Sequence, residues 1–223
     1  MHDTAEVAQA QSSAGGSGWS TLLMSIAALL ISAISLYQTV LKQANLNLFI
    51  PETISYTRDS EDRFEVFIIP LTITNSGARD GVVSSLRLVG TSKQDGKKVT
   101  FKASYFAKAE YFMAQAGRSQ TGVIKRPKEP YSPIPVTGYS GFGGTILFYS
   151  DTNEKNPFMK GEGEYEFELI AKTNLSENSG VMDSFFRTKI KPIRFTASSG
   201  KVANFFPGWI ANGNTWRMSV KDN

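Results

Sequence analysis

Phe64–Thr74 reads FEVFIIPLTIT, and no other stretch of the chain carries so clear a strand signal. Phe64, Val66 and Ile68, then Leu71 and Ile73, are apolar on a period of two, the spacing of a strand with one buried face. Pro70 interrupts the alternation, as a bulge or an edge position would. Asn75-Ser76-Gly77 follows with turn chemistry, because Asn bonds its own backbone and Gly accepts unusual φ. Val82–Val89 alternates again, and Asp95-Gly96 between Val89 and Val99 predicts a hairpin. On the other side, Leu46, Leu48 and Ile50 alternate up to Pro51. Further strands are predicted at Val99–Ala103, Gly144–Tyr149, Tyr165–Lys172 and Phe185–Phe195.

Between these strands the pattern is weaker. Ser104–Ala116 reads either as a short helix capped by Ser104 or as a long edge strand. Gly117–Pro135 is rich in proline, basic at Lys125, Arg126 and Lys128, and reads as a loop. Asp151–Gly163 and Thr173–Gly180 are turn-rich connections. Short strands at this spacing, with little helix, predict an all-β fold, an immunoglobulin-like antiparallel β-sandwich over residues 45–200. Residues 201–223 form an aromatic C-terminal segment with Phe206, Trp209 and Trp216. That segment either packs on the sandwich or meets a partner.

Ahead of the strands lies a stretch of another kind. Between Glu6 and Lys42 no side chain is charged, and Leu22–Leu36 is almost continuously apolar. About 20 apolar residues at helical rise cross the hydrocarbon core of a bilayer. Trp19 and Tyr37 stand where aromatic residues favour the two interfaces. Residues 19–44 are therefore expected to be a single transmembrane helix, retained in the mature chain, and residues 1–18 a disordered polar tail. Thr21, Ser25, Ala28, Ser32, Ser35 and Thr39 follow at spacings of four and three, a small and hydroxylated seam suited to close helix packing in lipid. The competing reading is that hydroxyls bond back to their own helix and mark no contact. The tail has no Lys or Arg, whereas Lys42 and Arg58 follow the span. The positive-inside rule then places the C-terminal domain in the cytoplasm, with an extracytoplasmic domain as the alternative.

A short tail, a span ending in Ile34-Ser35-Leu36-Tyr37, a strand running into Pro51, and then Leu71-Thr72-Ile73-Thr74-Asn75-Ser76-Gly77 resemble bacterial single-pass membrane-anchored immunoglobulin-like β-sandwich proteins of unassigned function. The resemblance covers about residues 20–90. It implies a fold, a topology and a place in the bacterial cell membrane, but no activity.

Composition narrows the chemistry. The chain has 223 residues, a net charge of +4, no cysteine and one histidine, His2, in the tail. Thiolate catalysis and cysteine-ligated zinc are excluded, and a His-based triad has no histidine beyond the tail. No metal, cofactor or catalytic residue is expected, and the chain is read as a non-enzyme. Glu162, Glu164, Glu166 and Glu168 share one strand parity. They could hold a hard cation or act as acid and base, but a solvated strand face explains them without further assumption. GYSGFGG at Gly138–Gly144 lacks the Lys-Ser/Thr ending of a phosphate loop and reads as a turn. Lys125, Arg126, Lys128, Phe206, Trp209 and Trp216 are candidate contacts for a partner or the membrane interface. Three basic residues offset by Glu129 fall short of the polybasic clusters that mark lipid recognition, and a net charge of +4 does not make a nucleic-acid surface. The expected partners are the bilayer and a second copy or another membrane protein. The leading reading is a membrane-tethered interaction module or assembly subunit that self-associates through its helix seam. The alternatives are an oligomeric pore-forming or membrane-perturbing protein and a carboxylate-dependent hydrolase.

Overall fold

The computed structural model describes residues 17–58, 64–112, 122–151, 157–160, 163–173, 189–199 and 216–222. The chain divides into two units, residues 1–42 and 43–223. The first contains α1, Ser17–Leu36, which continues as a π-helical turn at Tyr37–Leu41. The second contains strands β1 Asn45–Phe49, β2 Thr53–Arg58, β3 Glu65–Asn75, β4 Gly81–Ser92, β5 Lys98–Phe112 and β6 Gly122–Pro130. They are followed by β7 Ile134–Val136, β8 Gly141–Ser150, β9 Gly163–Thr173, β10 Lys189–Ile190, β11 Ile193–Ser199 and β12 Trp216–Asp222.

The strands correct the expected immunoglobulin-like sandwich. β3 pairs β2, β2 pairs β12, and β12 pairs β11. The ring continues through β9, β4, β5 and β8 and returns from β8 to β3. All eight neighbours are antiparallel, so the sheet closes on itself as an eight-stranded barrel. A sandwich needs two sheets with free edges; here β12 fills the place where β2 would be an edge, and closure removes the edge altogether.

Every stave sends side chains inward. The core gathers Ile54 and Tyr56 from β2, Phe67 and Ile69 from β3, Leu86 and Leu88 from β4, and Phe101 from β5. Ile146 and Phe148 come from β8, Phe167 and Leu169 from β9, Phe195 from β11 and Met218 from β12. Eight strands enclose a space that side chains can just fill, so this is a packed core. Phe67 is its centre, with ring centroids 4.8 Å from Phe101, 5.0 Å from Phe167 and 5.2 Å from Tyr56. Offset and edge-on contacts of this kind add to the burial energy of each ring.

Three local deviations explain where the alternation in the sequence misleads. β3 runs through Pro70 without a register shift, and Phe67, Ile69, Leu71 and Ile73 all point inward. Glu65 N donates to Ser150 Oγ and Asn75 N to Ser140 O, both on the β8 side, so alternate residues of β3 face β8. Pro70 has the other parity. Its missing N–H faces the stretch between the partners of β3, since β2 pairs only as far as Ile68 and β1 begins at Thr72. In β5 an extra residue at Ser104 shifts the register between Ala103 and Tyr105, so that Phe106 rather than Tyr105 packs on the core. That bulge, not a helix, breaks the pattern in Ser104–Phe112. The supposed loop at Gly117–Pro135 holds β6 and β7. β6 lies at the end of the strand order, where Pro127 and Pro130 are tolerated.

Buried polar residues share the inward parity of the described strands: Glu65 and Asn75 on β3, and Arg58 opposite Glu65 on β2. Glu65, 7% exposed, shares the inward parity of Phe67. Its Oε1 accepts from Tyr56 Oη at 2.6 Å and Met159 N at 3.0 Å, and its Oε2 accepts from Phe158 N at 2.7 Å. The carboxylate thereby pulls Phe158 and Met159, both buried, into the end of the barrel. Gly90 makes room for the Phe158 ring, since a Cβ there would lie 2.7 Å from it.

Replacing Glu65 by Ala orphans three buried donors, an expected loss of about 2–4 kcal/mol. Thermal unfolding of the full chain in detergent should shift down by roughly 5–15 °C. Tyr56→Phe, which removes one donor, should cost about 1 kcal/mol. An unchanged midpoint for Glu65→Ala would show that the carboxylate does not hold the plug.

Candidate functional site

Three places could carry function: the apolar helix, the charged outer face of the barrel, and the barrel end where the chain enters from Lys42.

Gly18–Leu41 has the length and composition to cross a membrane, with no burial inside the protein. A cleavable signal sequence near an N-terminus passes the same test. Large apolar side chains stand in the open all around it: Trp19, Leu23, Met24, Leu29, Ile31 and Ile34 are each at least 60% exposed. The seam residues Thr21, Ser25, Ala28, Ser32 and Ser35 keep one face while the helix turns about 100° per residue. Ser25 Oγ donates to Thr21 O at 2.9 Å and Thr39 Oγ1 to Ser35 O at 2.8 Å. Those protons are used within the helix, so the face offers a neighbour small bulk and oxygen lone pairs. From Tyr37 the helix winds in the π form, closed by Lys42 N on Tyr37 O at 2.8 Å. π turning is slower per residue, which rotates Thr39 off the line of the other five. Lys42 then takes an extended ψ of 121° and ends the helix.

The glutamate ladder lies on the outer face of β9. Lys93 Nζ reaches Glu164 at 3.3 Å and Glu166 at 3.4 Å, and Arg194 Nε reaches Glu168 at 3.0 Å. The hydrogen bonds that Lys93 donates to Glu164 and Glu166 raise its ammonium above its ordinary range. Glu162 lies outside the described residues. Paired with cations and spread along one strand, these carboxylates behave as a solvated face. Among the described residues no cluster of His, Asp and Glu suits a metal ion. Tyr131 stacks on Phe106 at 5.5 Å, and burial pushes its phenol up to about 12, so it stays neutral.

The other sequence candidates do not converge. Lys125 and Arg126 belong to β6, where Arg126 pairs with Lys108. Lys128 is exposed and meets Glu129 at 3.4 Å. Trp216 opens β12, opposite Tyr56. Phe206 and Trp209 lie outside the described residues. A shallow cleft of about 370 Å³ lies beside Pro70, lined by Phe49, Ile50, Pro51, Leu71 and Gly144. It is apolar apart from backbone and threonine.

The barrel entrance is the most heavily bonded spot, and sequence reasoning saw only its turn. Asn75 Oδ1 accepts from Asn45 N at 3.1 Å and Gly77 N at 2.9 Å. Its Nδ2 donates to Arg79 O at 2.7 Å and Thr137 O at 3.2 Å. One side chain thus ties the start of β1 to two turns. The Asn-x-Gly spacing was the available signal; the distant partners were not visible in it.

No protein-family profile matches the chain, and no curated protein matches it. Among solved structures, the crystal structure described as the ApaA protein from Bordetella pertussis is similar over 59% of this chain and 83% of that one. Its identity is 14% and its TM-score 0.27, a likeness that carries neither fold nor function to this chain. The barrel rests on the strand pairings alone.

At the far end of the barrel, Lys160 hydrogen-bonds Asp95, with Ser92 and the Lys97 amide adding to it. These hold the Asp95 carboxyl well below the usual carboxylate range. Because its folded pKa is lowered, the contact is fully present above the unfolded value of about 3.9 and weakens as pH falls below that. Asp95→Asn should lower stability slightly at pH 7, and the difference from the parent should shrink as pH falls from about 4 to 2, which flattens the acid limb. An unaltered acid limb would exclude this role.

Proposed function

We propose that the chain is a single-pass, membrane-tethered interaction module of the bacterial cell membrane, with the barrel as its binding head. The supporting observation is Gly18–Leu41, uncharged throughout and without burial inside the protein. A soluble fold would shield so much apolar surface; lipid makes shielding unnecessary. The head adds a packed barrel in which Glu65 and Asn75 bond backbone groups and Glu164, Glu166 and Glu168 are ion-paired, which suits a scaffold. Self-association through Thr21, Ser25, Ala28, Ser32 and Ser35 is the proposed mode of assembly, driven by close backbone approach. The lack of Lys and Arg in residues 1–18, against Lys42 and Arg58 after the span, favours a cytoplasmic head. The pore reading has less support: the barrel is filled with side chains, and the span contains no charged residue to line a path.

Alkaline carbonate extraction of native membranes should leave the full-length chain in the pellet. A supernatant species lacking residues up to about 40 would instead identify the helix as a cleaved signal. Replacing Ser25, Ala28 and Ser32 together by Leu should reduce cross-linked dimer several-fold without altering insertion. Undiminished cross-linking would remove the seam from the proposal.

A further inference from the structure

The end of the barrel that receives the chain carries features the binding-module reading does not use. Gly77 and Gly138 sit where no side chain fits: a Cβ on Gly77 would lie 1.8 Å from Gln43 O, and one on Gly138 1.9 Å from Ala78 O. Gly138 N donates to Asp80 Oδ1 at 2.9 Å, and Tyr139 N to Gly77 O at 2.9 Å. Ser76 N donates to Asn45 O at 3.0 Å. The Ser76–Asp80 turn is therefore locked onto Gln43–Asn45, and the Gly138–Ser140 turn onto Ser76–Asp80. Gln43 is two residues past Leu41, a reach of at most about 7 Å. Tyr139 has φ 52°, a conformation a tyrosine seldom adopts, and its side chain is 56% exposed. Arg79 and Lys191 are exposed, and Lys189 pairs with Asn45 at the same end. Asp80, whose Oδ1 accepts from Gly138 N, adds one negative charge beside Arg79.

We propose that this barrel end is a lipid-contact surface for the anionic headgroups of the bilayer that holds α1, with Tyr139 at headgroup level and Arg79 and Lys191 supplying positive charge. The inference rests on the membrane reading of α1. Tyrosine favours the interfacial layer, and basic side chains are attracted to anionic leaflets over about a Debye length. The latch holds Gln43 and Asn45, which follow Leu41 by two and four residues in the sequence. The strained backbone at Tyr139 presents the ring outward instead of folding it onto the barrel.

The chain has no cysteine, so single-cysteine variants of the full-length protein can be labelled with an environment-sensitive fluorophore in nanodiscs. Leu30→Cys reports on the span, Tyr139→Cys and Ser140→Cys on the proposed surface, and Lys98→Cys on the opposite barrel end. Spin-labelled lipids of two depths, in neutral and anionic mixtures, serve as quenchers. The expected result is deep quenching at Leu30, with shallow quenching at 139 and 140 at least threefold above that at 98. Quenching at 140 should rise with anionic lipid and fall in Arg79→Gln, Lys191→Gln. If Leu30 is not quenched, the membrane reading fails. If Leu30 is quenched but both turn positions match Lys98, the membrane reading stands and the lipid-contact surface is refuted. Quenching at both turn positions that ignores lipid charge overturns the role given to Arg79 and Lys191.

Discussion

Strand β2 has two neighbours, and one of them comes from the other end of the chain. Trp216–Ser219 pairs with Thr53–Tyr56, so the last residues of the protein close the sheet that its first strands begin. Without that pairing, β2 and β11 would present unpaired N–H and C=O groups, and the inward faces of eight strands would not be brought around one core. Met218, fully buried beside its β2 partner Ile54, depends on the same closure.

Closure also leaves a barrel with ends, and the two ends are finished differently. At one end Glu65 binds Phe158 N, Met159 N and Tyr56 Oη, and the Phe158 ring joins the Phe67–Phe101–Phe167 cluster. A carboxylate so little exposed is tolerable because each oxygen is met by a donor. At the other end Asn75 binds main-chain groups of Asn45, Gly77, Arg79, Val136 and Thr137. One end is a plug held by a charge; the other is a clasp held by an amide.

Much of the β-structure could be read from periodicity. β4 and β9 show it because one face of each is buried, β3 shows it beyond Ile69, and the Asp95-Gly96 hairpin appears with Gly96 at φ 69°. The choice between sandwich and barrel could not be read that way. Both architectures bury alternate residues, and they differ in which distant strands pair. β6 was hidden by Pro127 and Pro130, and the part of β5 beyond Ala103 was left open by the bulge at Ser104, which moves the inward position from 105 to 106. Glu65 gave no signal of its own, because Phe64, Val66 and Ile68 suggested that the other parity faces inward. Val66 and Ile68 are indeed buried, but with Leu147 in a second cluster outside the main core. The apolar helix was the easiest feature to recognise, since length and the absence of charge suffice. The clasp around Asn75 joins residues up to 62 positions apart, a relation that no local pattern encodes.

The barrel pairing is the central structural claim, and the cysteine-free chain allows it to be tested directly. Ser55 and Arg217 are register partners on β2 and β12. Directly opposed antiparallel residues bring Cβ atoms to about 4.5–5.5 Å, within reach of a disulfide after small adjustment. The measurement is oxidation of the full-length Ser55→Cys, Arg217→Cys protein, followed by mass spectrometry of the cross-linked peptides. A closed barrel predicts one intramolecular disulfide in high yield, whereas a Ser55→Cys, Arg87→Cys control stays reduced. Equal yields in the two pairs, or only intermolecular cross-links at position 217, would contradict closure by β12.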